Sequence, residues 1–324
     1  MRTVLCLLLL CLNNAMARGA SEIVIAMRYL QAQGTSHAHL YLYRDDGKFL
    51  RQLTNDQASQ ESDPIFAPDG ETIVFTREVS GGAKQFWSVE PRGGNLRQLP
   101  AAPDWYAQAR TSPFFLWWLP DEKTSSPTDV PFGQRTQHFT APDGSVELIL
   151  EEKKDDEDDQ MNGPGHGKHY RLRDLKTGEE TRLATLPGFE GLVDPLRLGN
   201  DGPFFFLEPP LRLVFFAVHL DSTDGDTDYA LDLNAPRRLV RLSPNWAAPF
   251  PLPGEPAFLT LTSVRYLPIP GSKKTANCSF VERWDAKLNK VRFAQPDSAA
   301  IVSGASMYRP GRTPAVVTIR KAGD

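Results

Sequence analysis

Arg51-Gln52-Leu53 and Arg97-Gln98-Leu99 close two segments that repeat one another about 46 residues apart, the length of a four-stranded blade unit. Between them lies Asp63-Pro64-Ile65-Phe66-Ala67-Pro68-Asp69-Gly70, followed by the β-branched run Glu71-Thr72-Ile73-Val74-Phe75-Thr76. The Asp-Gly pair supplies a residue that tolerates positive φ in a tight turn. Pro one position earlier ends the preceding strand, and the run after it needs a buried sheet. The turn recurs at Pro142-Asp143-Gly144 and, in weaker form, at Asn200-Asp201-Gly202. One such sheet cannot cover both of its faces, so one repeat implies several stacked copies.

The 324 residues suit one large all-β domain, and six or seven blades would use them up. Apolar residues make up 40% and charged residues 23%, so a sizeable core is available and composition argues against disorder. The net charge of −4 lacks the clustered basic surface of a nucleic-acid binder, and nucleic acid is set aside as a partner.

The first residues read as an export signal. Arg2 gives a basic start, Val4 to Leu12 an apolar stretch too short to span a bilayer, and Ala15-Met16-Ala17 a small-x-small cleavage pattern. Residues 1–17 are therefore expected to be a signal peptide and residues 18–324 the propeller domain, in the periplasm or secreted, with no membrane span. Cys6 and Cys11 would leave with the signal. Cys278 would remain as a lone thiol, more plausible as a small buried strand residue beside Phe280 than as a nucleophile.

Along the chain, Glu22 to Leu30, His39 to Tyr43 and Phe49 to Thr54 read as three strands of a blade whose first strand is missing. Thr313 to Arg320 is the expected closing strand that supplies it. Residues 100–133 fit either a degenerate blade or an insertion. Strands return at Thr140 to Glu151, His169 to Leu175 and Glu180 to Leu186, and further units span about Leu192 to Leu242 and Ala257 to Phe293. The Pro-rich stretch Pro244 to Pro256 reads as a linker barred from a sheet interior, and no segment has a helical period of useful length.

Over residues 40–99 the chain resembles the TolB-type β-propeller repeat, through Ala67-Pro68-Asp69-Gly70 before a buried strand and Arg51-Gln52-Leu53-Thr54 at a blade end. The match is recognisable again at 141–183. TolB carries an α/β domain ahead of its propeller, and no room for one is apparent between the signal and the first blade. The resemblance therefore implies an exported, propeller-only protein, and it speaks for architecture rather than activity.

No Gly-x-Ser-x-Gly elbow or convincing Cys/His pairing announces a nucleophile. His37 and His39, two apart on one strand face, and the carboxylates Asp221, Asp224, Asp226 and Asp228 around Gly225 are candidate metal ligands. The plainer readings are exposed loop histidines and a solvated hairpin turn. Trp105, Tyr106, Trp117 and Trp118 are candidate binding aromatics, with core packing of Trp117 or Trp118 an equal alternative. The mixed-charge run 151–159 reads as a solvated loop.

The expectation is an all-β, six-bladed β-propeller, seven blades being the alternative, with the ring closed by its C-terminal strand. It would act as a monomeric, non-catalytic binding module for a protein or glycan in the cell envelope. No cofactor is expected, though a divalent cation is conceivable. The alternative is a metal-dependent polysaccharide lyase or hydrolase working in the propeller channel.

Overall fold

A computed structural model describes residues 21–79, 82–110, 136–153, 167–187, 203–207, 209–219, 226–234, 237–243, 246–252 and 254–317. The protein is all-β, and among the described residues its strands form five antiparallel sheets, four of them four-stranded meanders and one of five strands. In chain order the first sheet begins with β1 (Glu22–Tyr29), β2 (Ala38–Arg44) and β3 (Phe49–Gln52). The second contains β4 (Ser59–Phe66), β5 (Ile73–Val79), β6 (Lys84–Val89) and β7 (Arg97–Leu99). After a helix α1 (Asp104–Arg110), the third contains β8 (Thr136–Thr140), β9 (Val146–Lys153), β10 (Gly167–Asp174) and β11 (Glu180–Arg182). The fourth contains β12 (Phe204–Phe206), β13 (Leu213–His219), β14 (Asp226–Asp232) and β15 (Leu239–Ser243). The fifth contains β16 (Trp246–Pro251), β17 (Phe258–Pro268), β18 (Thr275–Trp284) and β19 (Lys290–Arg292). Last come β20 (Ala300–Tyr308) and β21 (Ala315–Val317), which return to the first sheet in the order β21-β20-β1-β2-β3.

A C-terminal strand does join β1 in the first sheet, but it is β20 rather than the expected 313–320. Ile25 pairs with Ala305 and Glu22 with Tyr308, while Ala315–Val317 sits outside β20 as an edge strand. Residues 318–320 lie outside the described residues. The longer, more apolar β20 is the better neighbour for β1, whose Ile23, Val24, Ile25, Ala26 and Met27 are all inaccessible to solvent and need cover on both faces.

The residues fall into two compact units: 1–112 with 269–272 and 293–324, and 113–268 with 273–292. In the first unit, Val24, Ala26, Leu40, Leu42 and Leu53 of the first sheet pack on Phe66, Ile73, Phe75 and Val89 of the second. The opposite face of the second sheet carries Ile65, Val74, Phe86 and Leu99. It is covered by Tyr106, Trp105 and Ala109 of α1 together with Val316 of β21. A short helix therefore takes the place that a further sheet would fill. In the second unit the third and fourth sheets share a core around Leu148, Leu150, Tyr170, Leu172, Val214, Phe216, Tyr229 and Leu231. The fourth and fifth share Leu213, Phe215, Ala230, Phe258 and Trp284.

Two local expectations are corrected. The Pro-rich stretch is not wholly a linker, because β16 enters the fifth sheet as an edge strand, where the missing N–H groups of Pro249 and Pro251 can face away from the ladder. The helical segment Asp104–Arg110 escaped the periodicity reading because seven residues make barely two turns.

Candidate functional site

A cavity of about 530 Å³ opens at the turn end of the first two sheets, lined by Glu22, Arg51, Gly70, Glu71, Glu90, Pro91 and Arg92. Each wall has a local cause. Glu22 opens β1 and Arg51 lies in β3. Gly70 and Glu71 belong to the Pro-Asp-Gly turn between β4 and β5, where the Gly70 amide donates to the Ala67 carbonyl at 2.9 Å and the Glu71 amide to Asp69 Oδ1 at 2.9 Å. Only glycine fits at this corner, since φ is +76° and a Cβ would come within 2.3 Å of the Tyr308 ring. Glu90, Pro91 and Arg92 form the turn after β6, tied by the Gly93 amide to the Glu90 carbonyl at 2.8 Å and by Asn95 to the Glu90 carboxylate.

Arg51 donates through Nη1 to the Arg92 carbonyl at 3.0 Å, fastening one wall to the other. Burial pushes the Glu22 carboxyl above its ordinary value, against the opposing pull of Arg51. Among the described residues no side chain hydrogen-bonds to the Glu22 or Glu71 carboxylate. Three glutamates and two arginines line a volume suited to a small ligand or a protruding side chain. Sequence reasoning missed this site because its walls come from four separate turns and strands. The Pro-Asp-Gly turn was the one visible signal.

The histidine pair is placed differently from the exposed loop reading. His39 lies in β2 at 6% exposure, and its Nδ1 has no hydrogen-bond partner. Burial lowers its pKa, with His37 and Arg77 adding to the shift and Asp56 opposing it. His37 Nδ1 lies 3.2 Å from the Ser59 carbonyl and 3.2 Å from Gln60 Nε2. Beside them is a buried ion pair that the sequence did not announce. Glu61, inaccessible to solvent, accepts from Arg77 Nη2 at 2.6 Å and Nε at 3.1 Å, and also from the Thr54 hydroxyl. Arg77 stacks 4.3 Å from the Trp87 ring and lies 3.7 Å from Asp56. Burial pushes the Glu61 carboxyl up, while Thr54 and Arg77 hold it down. Its oxygens are engaged, so it is a structural group rather than a free base.

Tyr106 is a core residue, 1% exposed. Its ring packs edge-on to Phe86 at 5.8 Å, and its hydroxyl donates to the Asp63 carbonyl at 2.8 Å. Trp105 packs half-buried against the same face. Trp117 and Trp118 lie outside the described residues, as do Asp221 and Asp224. Asp226 and Asp228 are strand residues of β14, and Asp228 is buried at 6%, which departs from the solvated-turn reading. Cys278 is a buried thiol. A second buried carboxylate, Glu282, is held by Arg292 Nε at 2.8 Å and Thr262 Oγ1 at 3.1 Å. On the third sheet Glu147, Glu151 and Glu180 are laddered with Arg171 and Arg173. Among the described residues no group of three or more His, Cys, Asp or Glu side chains is placed to hold a metal ion, and no helix is long and apolar enough to cross a membrane.

No protein-family profile and no curated protein matches the chain. Among solved structures, TolB from Acinetobacter baumannii is similar over 93% of this chain and 64% of its own, with 12% identity and a TM-score of 0.23. A prolyl endopeptidase is similar over 92% of this chain and 43% of its own, with 11% identity and a TM-score of 0.29. AofleA from Arthrobotrys oligospora is similar over 93% of this chain and 91% of its own, with 9% identity and a TM-score of 0.19. The chain thus spans less than two thirds of the first two proteins, and its functional reading rests on its own residues.

Proposed function

We propose that the protein is an exported β-propeller acting as a non-catalytic binding module for a protein or glycan partner of the cell envelope. The reading draws on the sequence repeat, the four meander sheets and the union of β1 with β20, which is the pairing a closed ring requires. Six blades remain the expected number. Export rests on the leader-like residues 1–17.

The observation that carries the binding role is the charged cavity around Glu22, Glu71 and Glu90. It offers convergent polar groups, and no nucleophile–base pair is built into it. The test is retention of mature protein on immobilised envelope proteins and glycans, comparing wild type with a Glu71→Lys/Glu90→Lys variant that melts normally. Loss of retention in the variant is expected. Undiminished retention would overturn the role of the cavity. Cation-dependent depolymerisation of a polysaccharide by the purified protein would overturn the non-catalytic reading.

A further inference from the structure

The charged residues that line the cavity of the first two sheets share one volume without pairing. Glu22, Glu71 and Glu90 form no ion pair with Arg51 or Arg92. Two of the five side chains are spent on the walls. Arg51 donates to the Arg92 carbonyl at 3.0 Å, and the Glu90 carboxylate accepts from Asn95, a short amide that tolerates its φ of +53°. Among the described residues no hydrogen bond reaches the charged ends of the other three, the Glu22 and Glu71 carboxylates and the Arg92 guanidinium. Glu71 and Arg92 are exposed. Glu22 is half-buried, so part of its water is stripped away with no donor in its place, and Arg51 draws on it only at a distance.

Two available carboxylates and one available guanidinium select against ligands of a single sign. A simple anion meets Glu22 and Glu71, and a polyamine meets Arg92, each at the cost of like-charge contact. A ligand that carries a cation and a carboxylate on one short frame satisfies both signs. The guanidinium can take the carboxylate in a bidentate pair, which fixes orientation as well as charge. A basic amino acid whose α-carboxylate is free is such a frame. The volume of about 530 Å³ falls in the range of roughly 300–1,000 Å³ usual for small-ligand sites. Its walls are set before a ligand arrives, by the Arg51 clasp and by the Gly70 corner packed on the Tyr308 ring.

We propose that this cavity binds a lysine or arginine unit with a free carboxylate, its side-chain cation held by Glu22 and Glu71 and its carboxylate by Arg92. Such a unit is either a free basic amino acid or the C-terminal residue of a partner protein. The proposal rests on the cavity as the binding site of the module and names the chemistry it takes. The test is calorimetric titration of the full mature protein with acetylated tri-alanyl-lysine, its C-terminal carboxamide, acetylated tri-alanyl-glutamine and free lysine. Wild type should bind the lysine peptide, and the carboxamide and the glutamine peptide about tenfold more weakly. Arg92→Gln should bind the lysine peptide and its carboxamide alike, and Glu71→Gln should bind the lysine and glutamine peptides alike, both with unchanged melting. No binding of the lysine peptide, equal binding of its carboxamide by wild type, or an Arg92→Gln variant that still prefers the free carboxylate overturns the proposal. Free lysine bound as tightly as the peptide upholds the chemistry with a free amino acid as its source, and weaker binding upholds it with a chain end. In each failure, loss of envelope retention by the Glu71→Lys/Glu90→Lys variant would leave the binding-module reading standing.

Discussion

Replacing Arg77 by Ala should be among the most destabilising changes available in the first unit. Glu61 is inaccessible to solvent and depends on two hydrogen bonds from Arg77, its remaining side-chain donor being the Thr54 hydroxyl. Removing one partner of a buried ion pair leaves an uncompensated charge, at a cost of about 3–5 kcal/mol. The loss of the guanidinium stacked 4.3 Å from Trp87 belongs to the same change. At roughly 2 °C per kcal/mol for a chain of this size, the melting temperature should fall by roughly 6–10 °C.

Glu61→Gln should cost less, about 1–2 kcal/mol, because Gln still accepts hydrogen bonds and Arg77 keeps Asp56 at 3.7 Å. The double variant Glu61→Leu/Arg77→Met should recover much of the loss, since an apolar pair of similar volume removes the stranded charge. Calorimetry and urea denaturation of the four proteins rank their stabilities. An Arg77→Ala protein melting within about 2 °C of wild type, or a double variant losing the sum of both single changes, would refute the reasoning.

Two further outcomes follow from the same unit. His39 is harder to protonate when folded than its ordinary value of 6.5, so the unfolded chain binds the proton first. The stability it contributes is present above about pH 6.5 and is lost as pH falls through the lower folded value. Melting followed between pH 7.5 and 5 should therefore drop on the acid side and flatten in a His39→Asn variant, whereas an unchanged slope would show that other groups govern it. Gly304→Ala should destabilise severely, because at φ +138° the new Cβ would lie 2.8 Å from the Asp63 backbone nitrogen. A normal urea midpoint for that variant would mean that Gly304 of β20 and Asp63 of β4 are not in this contact.

The second sheet was readable because its turn and strands are local, and the hairpin β4–β5 follows the Pro-Asp-Gly signal. The pairing of β1 with a C-terminal strand was readable as a need, since β1 is apolar on both faces. Which strand answered it was not, because Val316-Val317-Thr318-Ile319 and the β20 sequence are both β-prone. Glu61 was hidden for a different reason. In β4 the buried positions Ser59, Glu61 and Asp63 are polar, and a strand read by apolar alternation places them in water. Their signal is Arg77, directly across the ladder, which becomes visible only once the register is known. Tyr106 likewise looks like a contact residue until α1 is seen to cover Ile65 and Val74.

The place of β20 beside β1 also sets an order of events. Ile25 and its partner Ala305 are separated by about 280 residues, which a ribosome working at roughly 5–20 residues per second needs about 15–55 s to supply. Throughout that interval β1 has β2 on one side and an open ladder on the other, with Ile23, Ile25 and Met27 beside it. Such an edge invites pairing with other chains, so anything that shields the early strands during synthesis would govern yield more than final stability. The first sheet to be synthesised is the last to be completed.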